Sequence, residues 1–128
     1  MRILVDTHAL LWAVTNDNRL SERAAETLAS PRTDVYVSAA TAWEIVTKVR
    51  LGKLSGADQF VRSFHVHIER LGFHTLDMTV KHSLHAGSLS GPHKDPFDRM
   101  LIAQSLSEAL PIVSNEKIFD HYGVTRIW

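Results

Sequence analysis

The chain opens on a short apolar run, Arg2–Val5, that meets a single acid, Asp6, and becomes a helical pattern at the next residue. From Thr7 onward the dense series Ala9, Leu10, Leu11, Trp12, Ala13 and Val14 has the character of a largely buried helix. A strand that passes straight into a helix across one polar residue is the start of an α/β unit. The pattern recurs. Residues 34–38 read as a second strand through Val35, Tyr36 and Val37, and Ser38 is placed to cap a helix from 39 to about 50 that Gly52 ends.

The remaining elements follow the same alternation. Ser21 with Glu22 begins a helix that ends before Ser30 and Pro31. Phe60, Val61, Phe64, Ile68 and Leu71 recur at three and four residues, which predicts one helix over 57–71. Strands are predicted over 73–76, 111–114 and 124–127, and helices over 79–86, 96–109 and 116–122. With no internal repeat or linker, 128 residues make a single domain of class α/β, 1–128, with a parallel sheet covered on both faces.

Composition excludes several classes. Lys plus Arg and Asp plus Glu are 14 each, so the formal net charge is zero and no general attraction to polyanions is expected. Any nucleic acid must meet a local basic patch, for which Lys48, Arg50, Lys53, Lys94, Arg99 and Lys117 are candidates against a plain solvated face. There is no cysteine, hence no disulfide and no thiolate metal site. No apolar run approaches the ~20 residues that span a bilayer. The first twelve residues carry Asp6 and His8 inside the apolar stretch and make a poor signal peptide, so a cytoplasmic location is expected and no membrane partner.

The chemistry lies in where the acids fall. Sites in open parallel sheets form beyond the carboxyl ends of the strands. Asp6 directly follows the first strand, Glu44 lies within two turns of the second, and Glu116 lies two residues past the fourth. Asp95 and Asp98 open the helix that leads into that fourth strand, within the stretch HKDPFDRMLIAQ at 93–104. All five can share one end of the sheet.

Each acid also has a plain structural reading. Asp95 before Pro96 is an N-cap with proline at the first helical position, and Asp98 then suits the helix dipole. Asp6 serves equally as a cap and Glu116 as a first-turn acid. Glu44 is harder to explain, because Trp43, Ile45 and Val46 surround it; Lys48, four residues on, is its structural partner. Together the acids would repel one another and hold their protons more tightly. No Arg or Lys stands out among the five as a relief. A hard divalent cation, Mg²⁺ or Mn²⁺, would supply it, and such an ion activates water for phosphodiester hydrolysis.

Four segments carry a family resemblance: ILVDTHALLW (3–12), VSAATAWEIVTKVRLGKL (37–54), HKDPFDRMLIAQ (93–104) and PIVSNEKIFDHYGV (111–124). In this combination, which spans the chain, the sequence resembles a PIN-domain protein, and in particular a VapC-type toxin ribonuclease of a toxin–antitoxin pair. The resemblance implies a three-layer α/β/α PIN fold with sheet order 3-2-1-4-5. It further implies a metal-dependent endoribonuclease acting on RNA, a VapB-like antitoxin that blocks the active site, and a homodimer. Asp6, Glu44 and Asp98 match the family's first three acids and are the expected ligands of Mg²⁺ or Mn²⁺. Asp95 fits the branch with the HKDPFDR-type stretch. The family often places an aspartate after the fourth strand, in a Thr-x-Asp pattern; here the run is Ser114-Asn115-Glu116, so Glu116 or Asn115 replaces it. The expected catalytic set is Asp6, Glu44, Asp95, Asp98 and Glu116, with Thr7, Ser114 and Asn115 positioning water or phosphate.

Other constellations are weaker. Among eight histidines, His65 with His67 point to different helical faces, and His82 with His85 lack a third ligand, so surface histidines are expected rather than zinc. His93 adjoins the acids and is a candidate for phosphate contact or loop positioning. Trp12 and Trp43 lie in apolar stretches and are expected in the core or an interface rather than on RNA. A second functional class is a catalytically silent PIN-like binding module that acts through protein or RNA partners. A receiver or phosphatase is disfavoured, since the first lacks paired acids at strand one and the second would need an acid where His8 stands.

Overall fold

The computed structural model describes residues 1–128 as five parallel strands in the order β3-β2-β1-β4-β5 with helices packed on both faces. The elements run β1 (Arg2–Val5), α1 (Thr7–Val14), α2 (Glu22–Ala29), β2 (Asp34–Ser38), α3 (Ala39–Arg50), α4 (Asp58–Arg62) and α5 (Phe64–Arg70). They continue with β3 (His74–Leu76), α6 (Val80–Ser88), α7 (Pro96–Glu108), β4 (Ile112–Val113), a 3₁₀ turn at Lys117–Tyr122 and β5 (Arg126–Ile127). The strand order and three-layer arrangement are those that the family resemblance implies.

The sheet is organised about β1. It pairs with β2 through Ile3–Val35 and Val5–Val37, and with β4 through Leu4–Ile112 and Val5–Val113. Successive side chains on a strand face opposite sides. Ile3 and Val5 accordingly join Val35, Val37, Leu10, Ile45, Phe60 and Ile68 in one core, while Leu4 joins Leu101, Ile102, Leu110, Ile112 and Phe119 in the other. A strand buried on both faces must read as unbroken apolar residues, and ILV does. No helix is long and apolar enough to cross a membrane.

Several expectations need correction. The helix predicted over 57–71 is two helices, because Ser63 leaves helical backbone at φ −116° and ψ 28°. Phe60 and Ile68 are nevertheless both in the core, so the apolar period survives the break that it conceals. The last strands are shorter than predicted. β4 pairs over two residues, with Pro111 and Ser114 contributing only flanking backbone bonds to Leu4 and Ile127. β5 starts late because Gly123 turns the chain at φ 79°.

The histidine expectation also fails at one position. His82 is 1% exposed, not a surface residue. It forms a reciprocal cap with Thr79: the His82 amide donates to Thr79 Oγ1 at 3.1 Å, and the Thr79 amide donates to His82 Nδ1 at 3.1 Å. With Nδ1 accepting, Nε2 carries the proton and donates to Glu108 at 2.8 Å. Gln104 on α7 extends the network, accepting from the Ser38 hydroxyl.

Candidate active site at the carboxyl edge of the sheet

Asp6 ends β1 and begins α1, and its position follows from doing both. Its Oδ1 accepts the Ala9 amide at 2.8 Å as the helix cap. It is 3% exposed, and burial pushes its carboxyl up to about 6. The Ser114 hydroxyl and the Ala9 amide work against that rise, whereas the charges of Glu116 and Glu44 add to it. These influences place the ends of β1, β4 and α3 within electrostatic reach of one another.

Glu44 is the centre of the group. It lies on the inner side of α3 with 2% exposure. Thr7, one residue past Asp6, donates its hydroxyl to Glu44 Oε1 at 2.6 Å and also lies 3.2 Å from the Thr41 hydroxyl. The other oxygen, Oε2, forms an ion pair with Lys48 one turn along the same helix. Lys48, the partner that the sequence offers Glu44, is thus in place and stands inside the acid group. Burial disfavours its charge, but the hydrogen bond to Glu44 and the charges of Glu44, Asp95 and Asp98 outweigh this and raise its pKa.

The start of α7 supplies the other side. Asp95 Oδ1 accepts the amides of Phe97 at 2.9 Å and Asp98 at 3.2 Å, so it caps the helix. Pro96 follows at the first helical position. That cap fixes Asp98 in the first turn, where its Oδ2 pairs with His93 Nε2 at 2.7 Å. Burial lifts Asp98 to about 6; the His93 hydrogen bond opposes this, and the charges of Asp95 and Glu44 reinforce it. Glu44 is thus the one acid whose charge bears on both Asp6 and Asp98. Glu116 is half-buried, with its amide on the Ser114 hydroxyl at 3.0 Å, and Asn115 is exposed.

The five expected acids are brought to one edge, yet no three His, Asp or Glu side chains close on a single point as a finished ligand cage. The basic candidates divide. Arg50, Lys53 and Lys94 are exposed. Arg99 is committed elsewhere: its guanidinium donates to the carbonyls of Ala86 at 3.3 Å, His93 at 3.0 Å and Leu89. It binds the 86–93 loop to α7 rather than presenting charge to a ligand. Lys48 serves Glu44 first. Trp43 is neither core nor covered: it is 57% exposed and packs edge-on against Phe97 at 4.8 Å.

Sequence reasoning under-weighted three residues. His93 holds Asp98. Tyr122 accepts the His93 amide at 3.1 Å. Gly91, at φ 103°, lies so close beneath the Tyr122 ring that a Cβ there would meet the hydroxyl at 2.7 Å. A cavity of about 840 Å³, lined by Trp12, Leu20, Leu28, Pro31, Leu71 and Phe73, lies at the opposite, amino edge of the strands. The acids instead line an open edge.

A sequence profile of the PIN domain matches residues 3–124. Among solved structures, the chain is similar to VapBC2 from Rickettsia felis bound to a DNA fragment from their promoter, at 15% identity and TM-score 0.71 over 98% of this chain and 97% of that one. It is similar to VapBC-1 from nontypeable Haemophilus influenzae at 18% identity and TM-score 0.71, over 98% and 96% of the two chains. It is also similar to FitAcB from Neisseria gonorrhoeae at 20% identity and TM-score 0.62, again over 98% and 96%. At these identities the likeness is one of fold. No curated protein sequence matches the chain.

Proposed function

The chain belongs to the PIN domain family, and from that premise we propose that it is a Mg²⁺- or Mn²⁺-dependent endoribonuclease, the toxin of a toxin–antitoxin pair. The observation that carries this is the convergence of Asp6, Glu44 and Asp98 from three separate elements on one edge, with Asp6 and Asp98 both raised to about 6. The chain has gathered more negative charge there than Lys48 and His93 offset. Structural ion networks seldom leave such an excess, whereas catalytic sites do.

The donor set fits a hard divalent ion, since it consists of carboxylates together with hydroxyls and an amide. Asp6, Glu44 and Asp98 would hold it, with Asp95 or Glu116 completing the set. When bound, the ion supplies an activated water and charge neutralisation at the phosphate. The chain's own part is positioning. The Ala9 amide orients Asp6, the Thr7 hydroxyl orients Glu44, and His93 orients Asp98. Ser114 and Asn115 stand at the β4 end for water or phosphate. Arg50, Lys53 and Lys94 offer exposed charge to the RNA backbone.

The similar structures are VapBC and FitAB assemblies, which supports a VapB-like antitoxin as partner. A homodimer and a cytoplasmic location complete the reading. The Lys48–Glu44 pair favours a second reading, a silent PIN-like binding module in which the lysine replaces the ion for good. RNA incubated with the purified chain in Mg²⁺, Mn²⁺ or EDTA separates the two. Cleavage that needs the ion and is lost in Asp6→Asn supports the nuclease; metal-independent RNA binding without cleavage overturns it.

A further inference from the structure

We propose that Lys48 is an internal counter-cation of the acid group, which a divalent ion must displace from Glu44 in order to bind. This rests on the metal-binding reading above and deepens it. The argument begins with the free lone pairs. Thr7 holds Glu44 through Oε1, so the oxygen left to face an ion is Oε2, and Lys48 pairs with that oxygen. Asp6 is held by the Ala9 amide and the Ser114 hydroxyl, and Asp98 by His93 through Oδ2. Glu44 is therefore the only one of the three with both oxygens occupied by side chains of the protein.

The lysine is built to leave. Its side chain is 30% exposed against 3% for Glu44, and its flexible stem starts one turn down α3, toward solvent. Arg99, by contrast, is fixed by three carbonyls and has no such freedom. The charges of Asp95 and Asp98 also act on Lys48, so one ammonium partly answers the whole group. In the absence of an ion it limits repulsion around a buried carboxylate. In the presence of one, two cations compete for the same oxygen. Released, the ammonium remains tethered beside the site, where an incoming phosphate offers it a new partner.

Competition makes a prediction that a purely structural role does not. Mn²⁺ binding to the full-length chain is measured by calorimetry, and independently by the paramagnetic resonance of free Mn²⁺, for the wild type, Lys48→Met, Lys48→Gln and Asp6→Asn. Lys48→Met is expected to bind Mn²⁺ about tenfold more tightly, the scale of a typical coupling between two sites. Its melting temperature without the ion falls, and the rise on adding Mn²⁺ exceeds that of the wild type. Lys48→Gln, which keeps a neutral donor for Glu44, lies between and serves if Lys48→Met does not fold. Unchanged or weaker Mn²⁺ binding in a folded Lys48 variant overturns the proposal. If the wild type binds no Mn²⁺ and a Lys48 variant does so through Asp6, the proposal stands. If neither binds, it falls together with the metal reading. If Asp6-dependent binding and RNA cleavage are both present but insensitive to Lys48, it falls alone.

Discussion

Two buried polar groups lie in this molecule, and they are built on opposite principles. Between α6 and α7, His82 is fully enclosed, and both its ring nitrogens have partners, Thr79 and Glu108. Gln104 links it to Ser38, the cap of α3. Every polar atom of the ring is hydrogen-bonded within the protein, and nothing there asks for a ligand. At the carboxyl edge, Asp6 and Glu44 are as deeply buried, but like charges face one another and Asp6 rises to about 6. Burial alone therefore does not mark a site. A satisfied network fixes a fold; an unbalanced one stores a demand for a cation that the chain meets only in part.

The comparison is broken most sharply by removing charge on one side and shape on the other. Asp6→Asn or Asp98→Asn is expected to lower metal-dependent RNA cleavage by about a thousandfold or more. The metal-free Asp6→Asn protein should be as stable as the wild type or more so, since asparagine still caps α1 and the repulsion is gone. Cleavage assays beside urea unfolding check both. Loss of cleavage together with a large loss of stability would place Asp6 with the structural group instead. His82→Leu is the converse. It leaves the Thr79 amide and Glu108 without their partner and should cost about 2–3 kcal/mol in urea unfolding, while Mn²⁺ affinity is unchanged.

A smaller effect comes from pH. Asp6 and Asp98 are held near 6 against an ordinary 3.8. A carboxyl that keeps its proton more tightly folded than unfolded contributes stability that is full below ~4 and lost as pH rises through 6. The metal-free protein should thus be about 1–2 kcal/mol more stable at pH 5 than at pH 7 relative to the Asp6→Asn, Asp98→Asn double variant. Equal slopes for the two proteins would show that the acids are not strained. Comparable in size is the effect of Gly91→Ala, which meets both an unfavourable φ and the Tyr122 hydroxyl. It should cost about 1–2 kcal/mol by thermal unfolding and loosen His93 from Asp98, read as a shift of the His93 ring signals in NMR.

Much of the site was legible because it is written in short-range terms. Asp6 sits where a strand becomes a helix, and Asp95-Pro96 is a cap in any fold. The five acids could be assigned to one edge from strand polarity alone. What stayed hidden depends on three dimensions. Trp43 reads as core or interface because its neighbours in the chain are apolar, and only the fold excludes the core, since its side of α3 faces outward beside Phe97. His82 reads as surface because histidine usually is, yet α7 brings Glu108 to it from 26 residues away. Arg99 reads as a free cation until the loop folds back and presents three carbonyls.

The sequence by itself determined the alternation of strand and helix, the caps, and the acids at the ends of strands. These follow from backbone periodicity and hydrogen bonding between residues a few positions apart, which need no knowledge of the rest. Tertiary structure alone decided the charge balance. Lys48 was visible as a helical neighbour of Glu44, but only the docking of α3 against α7 makes it answer Asp95 and Asp98 as well. Coulomb energy depends on distance and on exclusion of water, and both are set by packing between elements far apart in the chain.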